Sequence, residues 1–235
     1  MTTLAFDLYG DHKRRPMTVQ VKICGLTRPE DAAAVVAANA DFAGLVFHPG
    51  SPRNLQPDQA RAIAERLRGL VRIVALLVNP TDGALAEATA VKPDFIQLHG
   101  SETPARVADV RIRFGKPVIK AVGISDEADF EQLAGYEEVA DMLLFDAKPV
   151  AGGIPGGRGC AFDWQLLRKR RIAKPWLLAG GLDAQNVARA IACASARAVD
   201  VSSGVESSPG MKVAEAIHGF VAAARAAEFA PERTT

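Results

Sequence analysis

Residues 19–47 read VQVKICGLTRPEDAAAVVAANADFAGLVF. The stretch opens on a short apolar run, Val19 to Ile23, breaks at Cys24-Gly25, continues as an Ala-rich segment from Pro29 to Ala38, and returns to an apolar run at Phe42 to Phe47. Short, near-continuous runs of Val, Ile, Leu and Phe are what strands buried on both faces look like, and such strands belong to parallel sheets covered by helices. Pro29 stands near the start of the intervening helix, where a missing N–H has no intrahelical partner to lose. The stretch therefore reads as one βαβ unit.

The same alternation runs on from there. Strands are expected at Val19 to Ile23, Phe42 to Phe47, Ile73 to Val78, Phe95 to Leu98, Val118 to Ala121, Met142 to Phe145, Trp176 to Leu178 and Ala198 to Val201. Helices are expected at Pro29 to Ala38, Pro57 to Leu67, Gly83 to Ala90, Pro104 to Phe114, Glu127 to Ala134, Trp164 to Arg170, Ala184 to Ala192 and Lys212 to Ala226. Eight strand–helix pairs without a linker predict a single α/β domain, a (β/α)8 TIM barrel over 17–228, with an open doubly wound sheet as the runner-up. Residues 1–16, ending in the polar run Gly10 to Pro16, read as an N-terminal extension outside the barrel, with Met17 an alternative start, and 229–235 as a C-terminal tail.

Of the 235 residues, 49% are hydrophobic and 23% charged, the balance of an ordinary globular chain. With 28 Lys and Arg against 27 Asp and Glu, no field exists to gather polyanions or anionic lipid, so neither nucleic acid nor a membrane is an expected partner. Cys24, Cys160 and Cys193 fit neither a disulfide framework nor a CxxC pair, and no apolar leader opens the chain, so a reducing, cytoplasmic setting is expected.

In a (β/α)8 barrel the chemistry sits where strands end and βα loops begin. The first strand ends in Cys24 before a glycine turn. A thiolate there could act as a base, while position alone reads as well as a small core residue. Strand six ends in Asp146, which a closed pocket would keep protonated and an ordinary loop would pair with Lys148 or use to cap a backbone N–H. Arg53, in the turn-rich loop after strand two, carries a planar fork suited to a carboxylate, though loop arginines are usually only solvated. Strand four ends Gln97-Leu98-His99-Gly100, an alternation that sends Gln97 and His99 to the same side.

Glycine-containing segments follow the last three strands: Gly152 to Gly159, Gly180-Gly181, and Ser202-Ser203-Gly204. Together they resemble the phosphate site that barrels build from backbone N–H groups and a helix N-terminus, and Ser208 to Met211 is expected to open a small extra helix. The glycine run does not follow a first strand, and no HExxH, HxxH or paired Asp/His cluster occurs, so neither a nicotinamide cofactor nor a metal is expected.

Seven segments in order, KICGLT (22–27), F-x-x-x-S-P-R (47–53), QLHG (97–100), LFD (144–146), GG-x-G-x-x-FDW (156–164), AGGL (179–182) and DVSSGVE (200–206), resemble the pattern of phosphoribosylanthranilate isomerases along nearly all of 19–222. The resemblance implies Cys24 as general base, Asp146 as general acid and Arg53 on the anthranilate carboxylate. It also implies backbone groups near Gly157, Gly181, Ser203 and Gly204 on the phosphate, with Asp200 near the sugar hydroxyls. Gln97, His99 and Ser202 complete the expected substrate-binding set. Arg158 and Ala161 stand where the family often has a smaller polar residue and a hydroxyl residue.

The implied reaction is the cofactor-free Amadori rearrangement of N-(5-phosphoribosyl)anthranilate to 1-(2-carboxyphenylamino)-1-deoxyribulose 5-phosphate, in tryptophan biosynthesis. The expected partner is that small phosphosugar, and a monomer is expected rather than a homodimer. The nearest rival is a phosphosugar barrel isomerase that uses two aspartates, from which a thiol on the first strand separates this chain. A phosphosugar sensor with no catalysis would bind without turnover.

Overall fold

The computed structural model describes residues 18–148 and 163–228. Eight strands, β1 (Gln20–Cys24), β2 (Phe42–Val46), β3 (Arg72–Leu77), β4 (Phe95–Leu98), β5 (Val118–Ile124), β6 (Met142–Ala147), β7 (Trp176–Leu178) and β8 (Ala198–Val201), form a closed barrel in sequence order. Neighbouring strands are parallel, and the ring closes where β1 meets β8, with Lys22 opposite Asp200 and Ile23 opposite Val201. The expected barrel is therefore observed. The calls on 1–16, 229–235, the Gly152 to Gly159 segment with Gly157 and Arg158, and on Cys160 and Ala161 lie outside the described residues.

The helices are α1 (Pro29–Ala37), α2 (Pro57–Leu67), α3 (Asp82–Thr89), α4 (Pro104–Phe114), α5 (Leu133–Val139), α6 (Gln165–Arg168), α7 (Val187–Ala194) and α8 (Ala214–Arg225). Pro29, Pro57 and Pro104 each take the first helical position, as their missing N–H allows. Thr81 and Thr103 cap α3 and α4 by accepting from the N–H groups of Ala84 and Arg106. None of the described helices is long and apolar enough to cross a membrane.

Side chains alternate along each strand between two cores. Outward residues such as Val21, Ile23, Leu45, Ile73 and Leu77 pack under Val35, Ile63, Leu85 and Val107 of the helices. Phe42, Val74, Phe95, Ile119, Met142, Leu144 and Leu177 form a separate cluster that fills the barrel, with the rings of Phe42 and Phe95 edge to face at 5.8 Å. Above this plug sits a third, small cluster of Cys24, Val46 and Leu76. The interior is thus packed rather than hollow, and only the rim is left for chemistry.

Two expectations are corrected. The fifth helix does not run 127–134: a 3-10 turn at Glu127–Phe130 precedes α5. The reason is local, since the Asp126 carboxylate accepts from Ala128 N–H and the Asp129 carboxylate from Ser125 N–H, tying the backbone into a tight turn. The extra helix expected at Ser208 to Met211 is instead a hairpin of β9 (Glu206–Ser208) and β10 (Met211–Lys212), which turns at Pro209-Gly210 with Gly210 at φ +84°. A short 3-10 turn lies earlier, at Ser203–Val205, and α8 begins only after the hairpin.

Candidate active site

All eight strands point the same way, so their carboxyl ends share one rim, and β1 and β6 bring Cys24 and Asp146 to it. Cys24 is 5% exposed and faces the interior cluster beneath the rim. Its seat is shaped by β2, where Gly44 pairs with Cys24 and a Cβ would stand 2.7 Å from the Cys24 Sγ. Gly25, at φ +78°, then turns the chain, and a Cβ there would collide with the Arg53 side chain crossing above it.

Burial pushes the Cys24 thiol up, the Lys22 ammonium pulls it down, Asp200 pushes it up again and Lys212 pulls it down, leaving it above its ordinary value. Lys22 is fully buried, and its Nζ holds Asp200 Oδ1 at 2.9 Å. Burial disfavours that ammonium, but Asp200 and Cys24 beside it more than offset this. Asp200, expected near the sugar hydroxyls, is 8% exposed and engaged with Lys22.

Gln97 and His99 do share a side, as the alternation predicts. The Gln97 amide lies 2.8 Å from His99 Nδ1, and His99 Nε2 lies 3.2 Å from Asp146 Oδ2, within hydrogen-bond reach. The other Asp146 oxygen accepts from the N–H of Ala147 at 2.8 Å. Lys148 does not pair with Asp146; it turns to Asp129. The described residues do not close a pocket over Asp146, whose side chain is 32% exposed. Behind this row, Glu102 anchors the turn after β4: its carboxylate accepts from Gly100 N–H at 3.0 Å, Asn79 N–H at 2.8 Å and the buried Lys120 Nζ at 2.7 Å.

Arg53 is not free on its loop. Its Nε and Nη2 donate to the two oxygens of Glu206, and Lys212 Nζ donates to Glu206 Oε1 at 2.6 Å, to Ser202 O at 3.0 Å and to Ser202 Oγ at 3.3 Å. Ser202 Oγ in turn donates to the carbonyl of Cys24 at 3.0 Å. One polar chain therefore links the loop after β2, the hairpin and the end of β1. Glu206 and Lys212 were not among the expected site residues; Glu206 closes the DVSSGVE segment and a buried partner for Arg53 had to come from somewhere, but nothing in local pattern identifies Lys212.

The glycines after β7 and β8 lie side by side. Gly180 and Gly181 both have positive φ, and a Cβ at Gly180 would stand 3.0 Å from Asp146 Oδ1. A Cβ at Gly204 would overlap the carbonyl oxygen of Leu182, so the two loops meet backbone to backbone. Asn186 pins the first loop by donating to Gly181 O at 2.8 Å and accepting from Asp183 N–H at 3.0 Å. Ser203 and Gly204 form the 3-10 turn next to it, so Gly181, Ser202, Ser203 and Gly204 do come together, while Gly157 lies outside the described residues. Among the described residues no group of three or more His, Cys, Asp or Glu side chains is arranged to hold a metal ion.

Residues 21–223 match the family described as N-(5'phosphoribosyl)anthranilate (PRA) isomerase. An N-(5'-phosphoribosyl)anthranilate isomerase of Paracoccus denitrificans is 54% identical over 212 residues, covering 89% of this chain and 99% of that protein. Among solved structures, a phosphoribosyl anthranilate isomerase in complex with reduced 1-(o-carboxyphenylamino)-1-deoxyribulose 5-phosphate superposes with a TM-score of 0.76 at 38% identity, covering 88% of this chain and 98% of that one. Mutually generated monomers of the dimeric enzyme from Thermotoga maritima superpose with a TM-score of 0.76 at 38% identity and the same coverage, 88% and 98%.

Proposed function

The chain belongs to the phosphoribosylanthranilate isomerase family, and on that premise we propose that it converts N-(5-phosphoribosyl)anthranilate to 1-(2-carboxyphenylamino)-1-deoxyribulose 5-phosphate, the Amadori step of tryptophan biosynthesis, with Cys24 as base and Asp146 as acid. The observation that carries the assignment of roles is the placement of a buried thiol and a His-bonded carboxylate at the ends of β1 and β6, on one rim of a plugged barrel.

In this scheme Asp146 gives a proton to the ring oxygen as the bond from that oxygen to C1 breaks, leaving an iminium between C1 and the anthranilate nitrogen. The adjacent charge acidifies C2, and the Cys24 thiolate removes its proton to form an enolamine. Protonation at C1 and loss of the proton from the 2-hydroxyl give the ketone, so the proton count balances and no electrons leave the substrate. His99, bonded to Asp146, is placed to resupply the acid.

Arg53 takes the anthranilate carboxylate. A guanidinium has five N–H groups, of which Glu206 engages the Nε and one on Nη2, so the fork is held in place with donors to spare. The phosphate is held by the Gly181 and Ser203-Gly204 backbone, with Ser202 and Gln97 lining the sugar. The chain acts as a monomer: among the described residues the large exposed hydrophobics are Leu70, Ile112 and Met211, one on the loop after α2, one on α4 and one on β10, rather than a run along one element. The setting is cytoplasmic, which suits unpaired thiols at Cys24 and Cys193.

The test is to mix the protein with freshly generated phosphoribosylanthranilate and follow the anthranilate fluorescence. Turnover should fall about 10²- to 10⁴-fold in Cys24→Ser and in Asp146→Asn, with binding largely kept. A wild type that binds the substrate and does not turn it over would overturn the reading in favour of a sensor.

A further inference from the structure

Lys22 is a fully buried lysine that the scheme above leaves unused. It lies two residues before Cys24 on β1, so both side chains leave the same face of the strand toward the barrel interior. Its ammonium meets Asp200 Oδ1 at 2.9 Å across the pairing that closes the ring, one same-face position along β1 from the Cys24 thiol. Burying a lysine carries a desolvation penalty that its pairing must offset, and an apolar residue would fill a barrel layer without that penalty. What an apolar residue would not supply is a positive charge beside the thiol.

We propose that Lys22 is the positioning residue for the base: its ammonium, steered by Asp200, stabilises the Cys24 thiolate that takes the C2 proton. The proposal rests on reading Cys24 as that base. The charged groups that face the thiol are Lys22 from β1, Asp200 from β8, Lys212 from β10 and Arg53 from the loop after β2. Arg53 and Lys212 are both bound to Glu206, which offsets their field. That leaves Lys22 as the neighbouring cation on the same strand face, and Asp200 as the anion that limits how strongly it acts. β2 contributes no charge, only the space left by Gly44.

This arrangement gives two changes of opposite sign. Lys22→Met should move the midpoint of Cys24 ionisation up by about one pH unit or more, because a neighbouring opposite charge in a water-poor interior shifts a titrating group on that scale. Asp200→Asn, which keeps a hydrogen-bond acceptor for Lys22 but removes the opposing charge, should move it down. The midpoint is read from thiolate absorbance near 240 nm, with Cys24→Ser subtracted to remove Cys160 and Cys193. Alongside it, kcat of Lys22→Met should drop about 10-fold or more with KM little changed, its pH profile should move to higher pH, and Lys22→Arg should restore much of the loss. A merely structural lysine would lower the melting temperature and leave the midpoint where it is in the wild type, and that result overturns the proposal. Should Lys22→Met fail to fold, Lys22→Gln, which keeps a hydrogen-bond donor for Asp200 and removes the positive charge, takes its place: an upward midpoint shift supports, an unchanged or downward one refutes. Full turnover in Cys24→Ser would instead remove the base assignment itself, an outcome the titration does not depend on.

Discussion

Glu206 holds Arg53 side-on, its two oxygens accepting from Nε and Nη2 at 2.8 and 2.6 Å, across 153 residues of chain. The pair is more than an incidental contact, because Lys212 shares the same carboxylate and the Glu206 side chain is only 3% exposed. The arrangement fixes which way the guanidinium fork points. Replacing Glu206 by Gln keeps the shape but loses the charge, and a charge-assisted bond is worth about 1.5–3 kcal/mol. We expect KM for the anthranilate substrate to rise about 10-fold or more with a smaller fall in kcat, as steady-state kinetics over a wide substrate range would reveal. Equal losses in kcat and kcat/KM would place Arg53 at the reacting centre instead.

The pH dependence has a definite sign. Burial lifts the Cys24 thiol above its ordinary value, and a base works only when deprotonated. The Cys24 thiolate should therefore form mainly above about pH 8.5, the ordinary thiol value, so alkylation of Cys24 should keep accelerating with pH above that point rather than levelling off below it. Iodoacetamide labelling followed from neutral to alkaline buffers, with Cys24→Ser subtracted, checks this. A labelling rate that levels off by neutral pH would mean that the thiol is held below its ordinary value.

Two glycines should respond differently to one added methyl. Gly44→Ala places a carbon 2.7 Å from the Cys24 Sγ, a flexible atom that can rotate aside. The fold should lose about 1–3 kcal/mol and kcat should fall, because the thiol leaves its seat. Gly204→Ala meets the Leu182 carbonyl, which is backbone and has nowhere to go without moving the loop after β7. There the larger effect should be on KM, through the phosphate cup, together with a greater loss of thermal stability. Paired melting curves and kinetics for the two variants separate the cases.

Lys120 and Glu102 form a buried pair, each side chain 2% exposed, and Glu102 also ties down the backbone of Gly100 and Asn79. Lys120→Met leaves an uncompensated carboxylate among those N–H groups and should destabilise by about 3–5 kcal/mol in urea unfolding. Changing both partners to apolar residues should cost less than the single changes added together. The same variants should slow turnover modestly, since the turn they loosen carries His99.

Much of this is legible in the sequence, for physical reasons that also mark where it stops. The βαβ unit in 19–47 can be read because buried parallel strands must be apolar and helices can begin on proline. A parallel sheet also gathers its strand ends, which makes Cys24, His99 and Asp146 stand out without any knowledge of distance. Pairings across the ring are not legible in this way. A lysine inside the run 19–23 is unexplained until β1 closes on β8 and sets Asp200 opposite it, and no periodicity ties Arg53 to Glu206. The misread helix at 208–211 had its warning in Pro209-Gly210, a turn pair, and the fifth helix gave way to aspartates that bond their own backbone.

The thiol's seat is hollowed out by what β2 lacks, so the choice of base in this barrel is inherited through two strands at once. A library that varies position 24 alone explores only groups that fit beside a bare Gly44, and a lineage that fills position 44 first displaces the thiol before any substitute exists. New chemistry on this scaffold is reached along a diagonal, by changing 24 and 44 together, and selection experiments that scan one position at a time would miss it.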